Sequence, residues 1–195
     1  MTNASKKESK QLTNKYSPSE FVKNVYSLAM TKITMPQARF VRRPIFLRGG
    51  GSLEGAEGLT TGRMCRFDLD GHKKTLKIGK NCEFGDYTHI VALNHIEIGN
   101  DVLIASKVFI SDTNHGKYEG NDESDPSTPP RERKLVKGSV FIGNNVWIGE
   151  NAVILSGSRI GNGCLIGANS VISKEIPDNS IVVGANRILR QYGES

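Results

Sequence analysis

From residue 142 onward every sixth position is isoleucine: Ile142, Ile148, Ile154, Ile160, Ile166 and Ile172. The same slots recur upstream as Ile78, Phe84 and Ile90, then as Ile98, Ile104 and Ile110. A period of six fits neither the 3.6 residues of a helical turn nor the alternation of a strand. The fourth place of each hexad is Asn145, Asn151, Gly157, Gly163, Asn169 and Glu175. All but the last tolerate the left-handed backbone that a sharp corner needs. Short apolar walls joined by such corners predict a parallel β-helix. With three hexads per coil, Ile142 stacks on Ile160, Ile148 on Ile166 and Ile154 on Ile172, about 4.8 Å apart.

The pattern has two irregularities and two appendages. Between Ile78 and Ile98 it holds two residues too many, which reads as a bulge near Ile90–Ala92. It stops at Asp112 and resumes at Val140, so the Gly-, Pro- and charge-rich residues between leave the prism as a long loop, 112–139. Upstream, residues 45–77 read as a poorer turn or so. Residues 17–31 predict a helix, with Ser17 as cap, Pro18 first, Glu20 closing a capping box, and Phe21, Val25 and Leu28 sharing a face. The expected organisation is therefore a polar segment and amphipathic helix over 1–40, disordered over 1–14, then the prism over 41–190 and a tail over 191–195.

The sixth place of each hexad points outward. Leu103, Trp147 and Leu165 form one apolar column there, and Phe109, Val153 and Val171 another. Columns of that kind ask to be covered, and a three-sided prism invites a threefold partner. Charge adds an asymmetry: residues 1–80 carry 16 Lys/Arg against 6 Asp/Glu, a surplus of ten, on a chain of net charge +6. The bland account is a solvated basic face; the functional one is attraction to an acidic partner, with no nucleic acid expected. Three cysteines without CxxC spacing read as free thiols, and the N-terminus lacks the apolar stretch of a secretory signal. The expected compartment is the cytoplasm.

His115 occupies a sixth place where the loop departs. An imidazole there could take a proton from a hydroxyl, or it could be a loop residue without a role. The hexads, ISDTNHG at 110–116, the Pro/Arg-bearing loop, IGNNVWIGENAVIL at 142–155 and IGANSVISKEIPDNSIVVG at 166–184 together resemble the hexapeptide-repeat acyltransferases. They are most similar to the branch that O-acetylates lipopolysaccharide and exopolysaccharide, related to maltose and galactoside acetyltransferases. The resemblance is dense over 76–190. It implies an all-β, left-handed parallel β-helix, a homotrimer, and acetyl transfer from acetyl-CoA to a sugar hydroxyl with His115 as general base. It also implies acetyl-CoA contacts at Trp147, Glu150, Ala168, Ser173 and Lys174, with Arg187 and Arg190 near the CoA phosphates. The chain departs from the family where it reads IVVGANRILR instead of IVVG-x-P-A-K. It also has Gly85 beside Asp86 where sugar-specific relatives carry an acceptor-binding Asn. Asp86 and Asn94 are the candidate acceptor contacts, and corner-turn roles would explain both equally well.

Three other functions fit parts of this pattern. Small-sugar or antibiotic acetylation needs a closed pocket and no basic face. A zinc carbonic anhydrase needs three histidines at one interface, and His89 and His95 are six apart, hence at different corners; no metal is expected. A non-catalytic prism would have no use for the NHG segment. The acceptor expected here is a surface polysaccharide or its lipid-linked unit, with the basic half allowing peripheral contact with the inner membrane face.

Overall fold

In the computed structural model, which describes residues 16–51 and 53–193, the hexads build a left-handed parallel β-helix of six coils. Its first wall stacks Phe40–Val41, Thr60–Thr61, Glu83–Phe84, Leu103–Ile104, Trp147–Ile148 and Leu165–Ile166. Ser180–Val183 extends this wall, and Arg187–Gln191 closes it antiparallel. The second wall stacks Ile45–Arg48, Cys65–Leu69, His89–Ala92, Phe109–Ser111, Val153–Ile154 and Val171–Ile172. The third stacks Leu53–Gly55, Leu76–Ile78, His95–Ile98, Ser139–Ile142, Arg159–Ile160 and Glu175–Ile176.

Each wall sends one apolar ladder inward. Phe84, Ile104, Ile148 and Ile166 rise on the first wall; Phe67, Ile90, Ile110, Ile154 and Ile172 on the second; Ile78, Ile98, Ile142, Ile160 and Ile176 on the third. All are buried, and each is worth roughly 1.5–3 kcal/mol. The three stacking pairs expected from the spacing of 18 are present.

Four expectations need correction. The prism starts at Phe40, with two complete coils before residue 80 instead of a poorer turn. The two-residue excess is not a bulge: His89–Ala92 and His95–Ile98 are four-residue strands, each burying two side chains, around a corner at Leu93–Asn94. In the last coil Glu175 lies in a strand, and Ile176 stacks on Ile160 only 16 residues away, because the corner after Ile172 is short. His115 is not on a wall but on a short antiparallel hairpin, Thr113–His115 with Leu135–Lys137, at the base of the loop.

The corners follow the sequence rule. Asn145, Asn151, Gly157, Gly163 and Asn169 all have positive φ. At the edge between the third and first walls a ladder of carboxamides joins the coils. Asn100, Asn144 and Asn162 each accept through Oδ1 from a backbone N–H of the coil before, those of Lys80, Asn100 and Asn144, at 2.8–2.9 Å. Asp178 ends it by accepting from the Asn162 N–H at 2.8 Å.

The helix spans Pro18–Thr34, three residues beyond its predicted end, and its capping box is formed by Ser17 and Glu20. It lies along the edge between the first and second walls with its polar side inward. Ser27 and Thr31 are buried, and their hydroxyls accept from the backbone N–H groups of Arg43 (3.1 Å) and Val41 (2.9 Å). Phe21, Val25 and Leu28 share a face as expected, but it is exposed, lining a groove with Arg39 and Phe40 instead of packing into the core. The expected disorder of residues 1–14 lies outside the described residues, among which no helix is long and apolar enough to cross a membrane.

Cys65, Cys82 and Cys164 are free and buried in the prism. Burial pushes the Cys65 thiol up to about 11 and raises the other two. Since the thiolate is the reactive form, iodoacetamide at pH 8 is expected to leave all three unmodified in the native protein and to label all three in urea, read by intact mass. Rapid native labelling would contradict this.

Candidate active site

The loop leaves the prism through a clasp built around Asp112, which the sequence reading passed over. Asp112 is fully buried, and its carboxylate accepts three backbone N–H bonds, from Leu93 (3.0 Å), Asn94 (2.7 Å) and His95 (2.8 Å). Its carbonyl accepts from the Gly138 N–H at 2.7 Å and the Ser156 hydroxyl at 3.1 Å. Asn94, a candidate acceptor contact, donates through Nδ2 to the Gly138 carbonyl at 2.7 Å, so its carboxamide ties the far end of the loop to the corner. Lys137 Nζ donates to the Leu93 carbonyl at 3.0 Å. The loop enters and leaves through one point, and the hairpin carrying His115 stands on it.

His115 is exposed, at a cleft of about 650 Å³ that Tyr118, Leu155, Ser156, Ser173 and Lys174 also line. Its carbonyl accepts from the Tyr118 hydroxyl, which in turn accepts from Arg133 Nη1 at 2.7 Å. Arg133 also donates to the carbonyls of Thr128 (2.8 Å) and Pro126 (2.9 Å), so it staples the loop from inside. Gly116 explains the third letter of NHG. It has φ +108, and a Cβ there would come within 2.7 Å of the Tyr118 Oη. At the cleft floor the Ser173 N–H donates to Asn186 Oδ1 at 2.8 Å, and Asn186 Nδ2 donates to the Ser173 Oγ at 3.0 Å. Asn186, in positive φ, gave no sequence signal of this role.

The remaining candidates lie elsewhere on the prism. Glu150 and Ala168 occupy the edge between the first and second walls, one coil apart, with the Asn169 N–H donating to the Glu150 carbonyl at 2.9 Å. The Glu150 carboxylate pairs with Lys107 at 3.2 Å. Asp86 lies lower on the same edge and accepts the Arg63 N–H at 2.6 Å. Trp147 is half exposed on the first wall, between Leu103 and Leu165 as expected. A register shift opposite Ile181–Val182 puts both Arg187 and Arg190 across from outward residues, Val183 and Ile181. Within one chain, then, His115, Ser173 and Lys174 share one edge, and Glu150, Ala168 and Asp86 share another. His89 and His95 stand on different walls, His89 at 3.0 Å from Asp68 and His95 at 3.7 Å from Glu97. Burial opposes the Asp68 carboxylate, but hydrogen bonds from Arg66 and His89 outweigh it and hold it below the usual range.

Comparison with known proteins decides the family. Residues 139–174 match the model described as bacterial transferase hexapeptide (six repeats). A protein of Escherichia coli K12 named for lipopolysaccharide biosynthesis O-acetyl transfer, WbbJ, is 38% identical over 184 residues, covering 93% of each chain. The chain belongs to the hexapeptide-repeat acetyltransferases. The Escherichia coli galactoside O-acetyltransferase is 32% identical over 120 residues, 61% of this chain and 55% of that one. Among solved structures, the N-acyltransferase AntD of Bacillus cereus, in complex with dTDP-4-amino-4,6-dideoxyglucose and coenzyme A, superposes with a TM-score of 0.66. It covers 92% of this chain and 91% of its own at 19% identity, a likeness of fold. As a hexapeptide-repeat acetyltransferase, the chain is an enzyme.

Proposed function

We propose that this acetyltransferase moves the acetyl group of acetyl-CoA to a hydroxyl of a surface-polysaccharide or lipopolysaccharide sugar, with His115 as general base, in clefts between the protomers of a homotrimer. The observation that carries this is the division of the site between two edges of one prism. The base, Ser173 and Lys174 stand on one, and Glu150 and Ala168 on the next. A second copy laid alongside brings the two sets together. The half-exposed Trp147 and its neighbours Leu103 and Leu165 give that copy an apolar surface to cover. The name of the full-length relative supports the glycan acceptor, and the coenzyme A bound to the Bacillus cereus neighbour supports the donor.

In this reading the His115 imidazole takes the proton of the sugar hydroxyl as its oxygen attacks the thioester carbon. The tetrahedral intermediate collapses, the C–S bond breaks, and the imidazolium returns the proton to the CoA thiolate. Backbone N–H groups at the cleft would hold the transient oxyanion. Arg187 and Arg190 supply guanidinium groups suited to CoA phosphates. Asp86 faces the acceptor. The cytoplasm, which holds acetyl-CoA, is the expected compartment.

The test pairs mass with activity. Light scattering is expected to return three times the 21.3 kDa chain mass, and radiolabelled acetyl-CoA is expected to mark the host's glycan or its lipid-linked unit. Trp147→Asp should reduce both. A stable monomer with full activity would refute the shared cleft, and labelling of free small sugars alone would favour the small-sugar enzyme.

A further inference from the structure

Where the helix meets the prism, a second cleft of about 580 Å³ opens between Lys23 and Tyr26 of the helix and Arg43, Pro44, Ile45, Arg63, Met64, Asp86 and Tyr87 at the corners of the first three coils. Its charges are not balanced. No side-chain nitrogen of Lys23, Arg43 or Arg63 lies within 4 Å of a carboxylate among the described residues, whereas eight Lys/Arg ion pairs are formed elsewhere. Both guanidiniums are held in place by neutral partners. Arg63 donates to the Arg43 carbonyl and to Asn24 Oδ1, each at 2.8 Å, and Arg43 Nη2 donates to Thr34 Oγ1 at 2.6 Å. The Arg43 Nε is buried with no hydrogen-bond partner. Two half-buried guanidiniums with a spare buried donor, and no carboxylate on their side-chain nitrogens, offer an anion a place to bind.

The nearby acids do not fill that role. Asp86 directs one oxygen to the Arg63 backbone N–H, and Glu20 bonds to Ser17, whose backbone and hydroxyl hold its carboxyl below the usual range with a smaller contribution from the Arg63 and Lys23 charges, neither of which it contacts. Two exposed phenols, Tyr26 and Tyr87, together with Pro44 and Met64, supply flat apolar sides. Tyr87 and Met64 both sit at φ +60, strained for such residues, where the upper coils of this edge place Asn151 and Asn169.

Taken with the acetyl-transfer reading, on which it rests, the geometry points to this cleft as the binding site for the phosphate or diphosphate of a glycosyl-phosphate acceptor. The guanidiniums and Lys23 take phosphate oxygens, the tyrosines pack on an adjoining ring, and Asp86 faces sugar hydroxyls. A nucleoside diphosphate sugar and a polyprenyl diphosphate sugar share this chemistry.

Calorimetry on the full-length protein with inorganic pyrophosphate tests the site without any reaction. Binding is expected for wild type, and Arg43→Gln and Arg63→Gln should weaken it about tenfold or more. Unchanged circular dichroism would show that the variants fold, and Arg63→Lys should retain part of the affinity. In acetylation assays the same variants should raise the KM of a phosphorylated acceptor, leaving kcat, the KM of acetyl-CoA and the KM of the dephosphorylated sugar unchanged. Nucleoside diphosphate glucose and a polyprenyl diphosphate sugar, run in parallel, separate the two sources. Failure of wild type to bind pyrophosphate, equal KM with and without phosphate, or equal competition by a carboxylated sugar would overturn the proposal. Pyrophosphate binding lost in the variants of a protein that acetylates no sugar would sink the acetyl-transfer reading and leave the anion site standing.

Discussion

Replacing His115 with alanine is expected to lower kcat for acetyl transfer by about 10²–10⁴-fold, the usual worth of a positioned general base. Acetyl-CoA affinity should stay near wild type, because the proposed donor contacts do not depend on the imidazole: Glu150 and Ala168 stand on the neighbouring edge, Arg187 and Arg190 on the closing strand, and Ser173, across the cleft from His115, is held by Asn186. The split matters, since a His115 that served only to hold the hairpin would change stability and KM together. The hairpin is held instead by groups that survive the substitution: the backbone pairs of Thr113–His115 with Leu135–Lys137, and the Tyr118 hydroxyl on the residue 115 carbonyl. Steady-state kinetics and equilibrium CoA binding on the purified variant decide it. A variant within a few-fold of wild-type turnover would remove His115 from the chemistry.

The second large effect is expected at Asp112, which touches no proposed substrate. Asp112→Ala removes the acceptor of three part-buried N–H groups at the Leu93–His95 corner, each costing roughly 1–3 kcal/mol where water does not replace it, so a loss of about 3 kcal/mol should follow. Urea unfolding gives the number. Asp112→Asn should fall between, because one carboxamide oxygen replaces two carboxylate oxygens and its amino group meets N–H donors. Since Gly138 and Ser156 both bond to the Asp112 carbonyl, the variant should also displace the hairpin and lower kcat. A midpoint shift worth less than about 1 kcal/mol would show that water replaces the carboxylate at this corner.

Much of this molecule could be read from spacing because a β-helix repeats one local problem. Every hexad needs one inward apolar side chain and one corner residue tolerant of positive φ, and Ile with Asn or Gly states both needs in one short word. The reading weakened wherever the word lengthened or shortened. Four-residue strands such as His89–Ala92 keep alternation but lose the period, so their two extra residues resembled a bulge. The lowest coils, with Ala56 and Met64 in corner positions of positive φ, break the composition rule, so two full coils there read as a poorer turn. For the site, His115 and the candidate donor contacts were visible as motif residues. Asp112, Tyr118, Arg133 and Asn186 were not, because their work consists of long-range bonds to backbone groups, and no local pattern records the partner. The helix was located correctly by its cap, yet the direction of its apolar face depends on Ser27 and Thr31 meeting Arg43 and Val41 across a chain reversal.

The carboxamide ladder has a consequence for how the molecule ages. Asn162–Gly163 is the one Asn–Gly pair in the sequence, and such a pair is the dipeptide most open to deamidation. In that reaction the glycine nitrogen attacks the side-chain carbonyl carbon, ammonia leaves and an imide ring closes. Here both reactants are restrained. The Gly163 N–H donates to the Asn144 carbonyl at 2.9 Å, and the Asn162 Oδ1 accepts from Asn144 N and Nδ2, each at 2.9 Å. The Asn162 Nδ2 meets Asp178 at 3.2 Å. Ring closure would have to break the joints between two pairs of coils, so the residue most exposed to chemical wear by its sequence is sheltered by its neighbours. The imide at residue 162 would accumulate only in molecules whose upper coils have come apart.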